Sequence, residues 1–282
     1  CMHTLPRLTQ AQAPLIQHIR ARNENGEWQD VAIPAERALT VYVDKQELIT
    51  LMTLGAHPEW LVLGYLLNQR LMGAVSEVES VTVDWSAGDA EAGVAAVKTH
   101  AGLADWSAHQ ESRVVTTGCG QGSVYAGVMR DVDALQLPDA RITSNDVVGI
   151  VQQIRLRDST YKKAGSVHGC ALFDGQRLLL FVEDVGRHNA LDTIAGWMGM
   201  NQLQGHAGLR FYTTGRLTSE MIIKAAQMGV AVVISRSGIT QMGYEMAQRL
   251  GVCAIGRALH NRYWVYTTPH RVVTASMEPS TP

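Results

Sequence analysis

The side chains in this sequence that could do chemistry are one accessible thiol, a set of arginines at loop positions and a few histidines. Cys119 lies between Gly118 and Gly120, with Gly122 following. Small neighbours leave a sulfur accessible and mobile, as a nucleophilic thiol requires. A thiol of ordinary pKa, ~8.5, is only a few per cent ionised at neutral pH, so useful reactivity needs a cationic neighbour or a partner protein. The sequence names neither, and Cys119 reads as either reactive or incidental. Cys170 in HGCALF and Cys253 in GVCAIG sit in apolar strand-like runs and read as buried core thiols. With Cys1 they complete the four cysteines, far apart and with no C-x-x-C, which argues against a disulfide framework and a cysteine-rich zinc site. No metal site is expected. Zinc deaminase chemistry needs H-x-E with P-C-x-x-C, and the lone H-x-E, His57 to Glu59, has no such partner. His168 and His188 read as acid/base groups or as structural hydrogen-bonding histidines.

The arginines form a pattern. In open α/β sheets ligands collect at the carboxyl ends of strands, where helix N-termini present unpaired N–H groups and a partial positive charge. The loops after the expected strands carry Arg216 (TTGRLT, 213–218), Arg236 (SRSGIT, 235–240), Arg257 with Arg262 (RALHNR, 257–262) and Arg187 (EDVGRHNALD, 183–192). Any one of them is explained by solvent exposure. One helix terminus offers an anion only ~0.3–1 kcal/mol, whereas several arginines converging with two termini hold phosphates firmly. The set favours a phosphate-bearing ligand. Walker A is absent, and Gly118, Gly120 and Gly122 do not form G-x-G-x-x-G. Nucleic acid is disfavoured, because no run interleaves Lys/Arg with aromatics.

These residues need elements to position them. Residues 1–26 read as an irregular lead-in, 38–54 as two short strands, and 57–72 as a helix with Leu63, Leu66, Leu67 and Leu71 near one face. Residues 78–85 and 93–100 alternate as strands. Ser144 reads as the N-cap of a helix through Val147, Ile150, Val151 and Ile154. HGCALFD (168–174) and LLLFVED (178–184) flank Asp174-Gly175, a hairpin signal, and RHNALDTIAGWMG reads as a helix. Then come a strand at 209–213, a helix near 218–228, a strand at 230–235, a helix near 240–250 and a strand at 252–256. Both helices run into glycine, Gly229 and Gly251, and their apolar spacing (Met221, Ala225, Met228; Met242, Met246, Leu250) is helical. This is β-α-β-α-β, hence a parallel sheet.

Length and composition set the frame. At roughly 150 residues per domain, 282 residues predict about two domains. With 46% hydrophobic and 18% charged residues the chain is outside the disordered class. No apolar run approaches the ~18–20 residues that span a bilayer. The N-terminus lacks the apolar core of a secretory signal, so a cytoplasmic protein is expected. Residues 1–140 hold 9 Lys+Arg against 17 Asp+Glu and residues 141–282 hold 15 against 9, giving −8 and +6. An acidic front and a basic back fit an anionic ligand or partner met by the C-terminal half, or a solvated surface.

Several strings converge on one family. TTGCGQG (116–122), GSVHGCAL (165–172), EDVGRHNALD (183–192), TTGRLTSEM (213–221) and the repeat through RALHNRYWVYT (257–267) resemble the FdhD family of formate dehydrogenase accessory proteins, over most of residues 38–270. EDVGRHNALD is the most specific of them. The resemblance implies an α/β chain with a cytidine-deaminase-like α/β domain and a smaller α+β N-terminal domain. The expected division is a small α+β domain at 27–115, a glycine-rich cysteine loop and linker at 116–140, and an α/β cofactor-binding domain at 141–270. It implies a cytoplasmic homodimer that accepts persulfide sulfur from a cysteine desulfurase. The sulfur passes to the molybdenum bis(molybdopterin guanine dinucleotide) cofactor, bound as substrate, before insertion into formate dehydrogenase. Cys119 takes the place of the persulfide-bearing cysteine, and Arg257, Ala258, Leu259, His260, Asn261 and Arg262 that of the cofactor-binding loop, with Arg216 and Arg236 as neighbours and a guanine nucleotide as a further ligand. Many members carry C-G-x-C-G, and here Gly122 stands at the second cysteine position, so release of sulfur through a disulfide within the motif is excluded. RALHNR also lacks the family loop's proline and glycine, though Arg262 is retained. The alternative is a chaperone that binds the cofactor without moving sulfur.

Overall fold

The structure is a computed structural model that describes residues 4–88, 92–103 and 131–274. The first part of the chain runs β1 (Arg7–Leu8), β2 (Ile16–Arg22), β3 (Trp28–Pro34), β4 (Arg37–Val43), β5 (Gln46–Thr53), α1 (Pro58–Asn68), β6 (Val78–Asp84) and β7 (Gly93–Thr99). The second part begins with β8 (Ile142–Thr143), α2 (Ser144–Leu156), α3 (Thr160–Ala164), β9 (His168–Asp174), β10 (Arg177–Asp184) and α4 (Arg187–Met200). It continues with β11 (Leu209–Thr213), α5 (Ser219–Gln227), β12 (Val232–Ser235), α6 (Gln241–Leu250), β13 (Cys253–Leu259), β14 (Arg262–Val265) and β15 (Val272–Val273). The class is mixed α/β, as expected.

Two compact units divide these elements. The first comprises residues up to 104 together with 158–169 and 182–202. Its five-stranded sheet has the order β1-β6-β7-β4-β5. The turn between β4 and β5 is made by Asp44 and Lys45, both at positive φ (47° and 71°), the backbone that a two-residue hairpin with right-handed strand twist demands. Leu39, Val41 and Val43 alternate into the core with Val81, Val83, Ala95 and Val97, the period-2 pattern of a sheet with one covered face. Against that face lies α1, which packs in turn on α4. The helix is therefore buried nearly all round, Leu61, Val62, Leu63, Tyr65 and Leu66 included, rather than on one leucine face. Where α1 and α4 cross, their backbones touch: a Cβ on Gly64 would lie 1.5 Å from the Asp192 carbonyl oxygen, and one on Gly196 1.9 Å from that of Trp60. One turn along, Asn68 Nδ2 donates to the buried Asp192 carboxylate at 2.7 Å.

This packing recruits residues 182–202 to the first unit, a departure from a boundary at 140. A second departure is in the lead-in expected to be irregular, where the described residues from 4 onward form strands: β1 pairs with β6, and β2 with β3 over seven residue pairs. Both faces of much of the β2–β3 hairpin are exposed, so its sequence carries no alternating apolar signal.

The second unit comprises 105–157, 170–181 and 203 onward. Its six-stranded sheet has the order β10-β9-β11-β12-β13-β14. β11, β12 and β13 are parallel, in register Phe211↔Val233 and Ile234↔Ile255, while β9 and β14 run antiparallel on either side. The β-α-β-α-β reading from sequence holds. LRFYT and VVIS are buried throughout, as parallel strands covered on both faces must be. On one face Val147, Ile150 and Val151 of α2 pack with Phe173, Tyr212, Val232, Ile234 and Ile255. Right-handed crossovers in one direction assign α5 and α6 together to the other face. Capping of α2 falls one residue earlier than expected: Thr143 Oγ1 accepts from Asp146 N and the Asp146 carboxylate from Thr143 N, a reciprocal cap.

Candidate functional site

The carboxyl ends of β11, β12 and β13 lie side by side, and the loops leaving them carry the expected arginines. Thr213 and Ser235 end the first two strands with fully buried hydroxyls. Backbone bonds lash their loops together: Arg236 N to Thr213 O (3.0 Å), Leu217 N to Gly238 O (2.9 Å) and Thr240 N to Leu217 O (3.1 Å). Each loop then enters a helix through a threonine. Thr240 Oγ1 caps α6 by accepting from Gly243 N at 3.1 Å, whereas Thr218 at the head of α5 makes no such cap. Gly243 has to be glycine, because a Cβ there would lie 2.2 Å from the Leu217 carbonyl oxygen.

RALHNR is not a loop throughout. β13 continues through Arg257, Ala258 and Leu259, a turn is made by His260 and Asn261, and Arg262 opens β14 opposite Leu259. A register shift between Gly256 and Leu259 marks a bulge. Arg257 sits in it at φ 50°, its N–H donating to Ser237 O at 2.6 Å, and His260 has φ 55°. A bulge re-aims side chains and turns the strand; here it turns Ala258 into the core while Arg257 and Leu259 are exposed. Arg216, Arg236, His260, Asn261 and Arg262 are exposed too. Arg187 opens α4 and belongs to the first unit. Cys119 lies outside the described residues. Cys170 and Cys253 are buried, and burial pushes the Cys253 thiol up.

Residues that sequence reading passed over do most of the local fastening at this edge. Thr213 Oγ1 accepts from Gly215 N (3.0 Å) and from the Cys170 thiol (3.3 Å). Ser235 Oγ donates to Gly215 O (2.6 Å) and accepts from Ser237 N (2.9 Å). The signal was present as a repeat: a hydroxyl residue at the strand end, Leu217 or Ile239 four positions on, and threonine after that.

A model of the FdhD/NarQ family matches residues 34–273. The chain belongs to that family. It is 31% identical to the sulfur carrier protein FdhD of Bacillus subtilis over 255 residues, covering 89% of this chain and 95% of that protein. The sulfur carrier protein FdhD of Bacillus licheniformis is 30% identical, at 89% and 94% coverage. Among solved structures, a proposed formate dehydrogenase accessory protein from Desulfotalea psychrophila superposes with a TM-score of 0.71 at 22% identity, covering 92% of this chain and all of the other. That structure supports the fold. Among the described residues no helix is long and apolar enough to cross a membrane.

The segment EDVGRHNALD organises the first unit. Glu183 accepts from Thr160 N and Tyr161 N and so caps α3 (2.7 and 2.9 Å). Asp184 accepts from Thr53 Oγ1 (2.6 Å), Leu54 N (2.9 Å) and Val185 N (2.7 Å). Asn189 Nδ2 reaches Met52 O (2.7 Å), and Asp192 holds Asn68 as described. Burial drives the Asp184 carboxyl from an ordinary 3.8 up to about 6, against donors that favour its ionised form. The folded state thus holds this proton more tightly than the unfolded chain. The resulting stability is complete below pH ~4 and is lost as the pH rises through about 6, a swing of roughly 3 kcal/mol. Asp184→Asn, which cannot titrate, is expected to lack that slope. Urea midpoints of both chains at pH 4 and pH 7 measure it; parallel pH profiles would refute the assignment.

Proposed function

We propose that this chain is a sulfur carrier for a molybdenum enzyme. Cys119 receives sulfur from a cysteine desulfurase: its thiolate attacks the terminal sulfur of the desulfurase persulfide, a new S–S bond forms, the old one breaks, and the desulfurase thiolate leaves. The acceptor is the bis(molybdopterin guanine dinucleotide) cofactor of formate dehydrogenase, whose phosphates and guanine are held by residues 257–262 with Arg216 and Arg236. The working form is a cytoplasmic homodimer. What carries the reading, beside family membership, is the set of exposed arginines at one edge of three neighbouring parallel strands: Arg216 and Arg236 on the loops after β11 and β12, Arg257 in the bulge of β13, and Arg262 at the start of β14. Because Gly122 stands at the second cysteine position, the sulfane sulfur leaves as sulfide with two electrons from an external thiol reductant, or passes to the metal of the cofactor with that metal supplying the two electrons; in either case the Cys119 thiolate is the leaving group.

The same glycine favours a second reading, a chaperone that binds the cofactor and moves no sulfur. Mass spectrometry after incubation with desulfurase and cysteine separates the two: a persulfide on the tryptic peptide containing Cys119 supports the carrier, and its absence supports the chaperone.

The ligand edge has its own test. A charge-assisted bond is worth about 1.5–3 kcal/mol, so Arg262→Ala is expected to weaken GDP binding about tenfold or more and to leave persulfide formation intact. Calorimetric affinities unchanged in both Arg262→Ala and Arg236→Ala would place the ligand elsewhere.

A further inference from the structure

We infer that Ser235 is a positioning residue that holds the three arginine-bearing segments of the candidate site in register through its buried hydroxyl. The inference rests on reading that edge as a guanine nucleotide site.

Ser235 is fully buried at the end of β12. Its Oγ donates to Gly215 O in the Arg216 loop at 2.6 Å and accepts from Ser237 N in the Arg236 loop at 2.9 Å. One peptide further on, the carbonyl of Ser237 itself accepts from Arg257 N at 2.6 Å, where the Arg257 backbone stands at φ 50°. One hydroxyl therefore begins a relay that crosses all three segments. The bonds from Arg236 N to Thr213 O, Leu217 N to Gly238 O and Thr240 N to Leu217 O join backbone to backbone between the first two loops, and side-chain truncation to alanine leaves them in place. Thr213, the corresponding hydroxyl of β11, accepts from Gly215 within its own loop and from Cys170; it does not reach the second or third segment through its side chain.

Removing the Ser235 hydroxyl leaves a buried carbonyl and a partly buried N–H without their side-chain partner, a loss that buried polar groups do not tolerate quietly. Gly215 O and Ser237 N must then seek other donors and acceptors. A change of backbone dihedrals at Ser237 that finds its N–H a new acceptor also moves its carbonyl, which anchors Arg257, and Arg236 shares the peptide whose N–H has been released. Neither guanidinium is altered, yet their relative placement is no longer fixed. Because bidentate recognition of phosphate depends on placement, the effect appears as lost affinity.

The experiment measures GDP binding by calorimetry and amide exchange by mass spectrometry on the full chain. Ser235→Ala is expected to bind GDP tenfold or more weakly, to exchange faster over 236–240 and 256–259 without ligand, and to exchange as before in α2. Ser235→Thr, which keeps the hydroxyl in the form its sister loop uses, is expected to restore binding. A purely structural role is separated by Val233→Ala, which removes buried methyl groups from the same strand: it should lower the unfolding midpoint and leave GDP affinity unchanged. If Ser235→Ala does not fold, Ser235→Cys, of similar size but a weak donor, takes its place. GDP bound by the unaltered chain and weakened in Arg236→Ala, but bound normally with unchanged exchange in Ser235→Ala, would overturn the positioning role alone. No GDP binding by the unaltered chain would overturn the site and this inference together.

Discussion

Cys119→Ala is expected to abolish both desulfurase-dependent persulfide on this chain and maturation of active formate dehydrogenase. Cys170 and Cys253 are buried in strands β9 and β13, and burial of a thiol disfavours the thiolate that must attack. Cys1 and Cys119 remain, and of the two Cys119 is the one among small neighbours, at the position that the resemblance assigns to the persulfide-bearing cysteine. Cys170→Ala and Cys253→Ala should therefore retain persulfide and maturation. Formate dehydrogenase activity in cells that carry each variant provides the measurement, with mass spectrometry of the purified chain beside it. Maturation that survives in Cys119→Ala would exclude sulfur transfer through this residue.

The second large effect lies far from any thiol. Gly64→Ala is expected to destabilise the first unit by about 3 kcal/mol or more, at the upper end of what overpacking costs. The obstacle is backbone: the new methyl would sit 1.5 Å from the Asp192 carbonyl oxygen and 2.8 Å from Gly196 N. No rotamer relieves it, so α1 and α4 must separate, which uncouples the buried Asn68–Asp192 bond and the apolar contacts on either side. Gly196→Ala presses on the same crossing from the partner helix. The two changes are therefore expected to be non-additive, since the helices part only once. Urea denaturation of the single and double variants reads both points; a Gly64→Ala midpoint equal to that of the parent would contradict the crossing.

What the sequence made legible is the part of the fold that rests on local pattern. β11, β12 and β13 with their two helices were readable because each strand is a short apolar run and each helix ends in a glycine at positive φ, Gly229 and Gly251. Arg216, Arg236 and Arg257 could be assigned to one edge on that basis. Long-range packing was less visible. Nothing in the spacing of RHNALDTIAGWMG says that this helix lies against α1, because the contact is written in Gly64 and Gly196, which pattern reading scores as weak helix formers. EDVGRHNALD joins the set of ligand loops in the sequence through Arg187 alone, whereas its Glu183, Asp184, Asn189 and Asp192 make internal bonds. The bulge at Arg257 escaped notice because arginine gives no sign of positive φ.

That last residue also sets a limit on how stable the chain can become. A left-handed backbone costs a non-glycine residue roughly 1–2 kcal/mol, and glycine at 257 would relieve it. Selection for robustness alone would replace the arginine. A chain that must instead present a guanidinium at this bend retains the strain, so stabilising substitutions have to be sought elsewhere. Thermal resistance and ligand recognition are at odds at this one position, and an engineered variant that gains the first through Arg257→Gly gives up one of the four arginines proposed to supply the second.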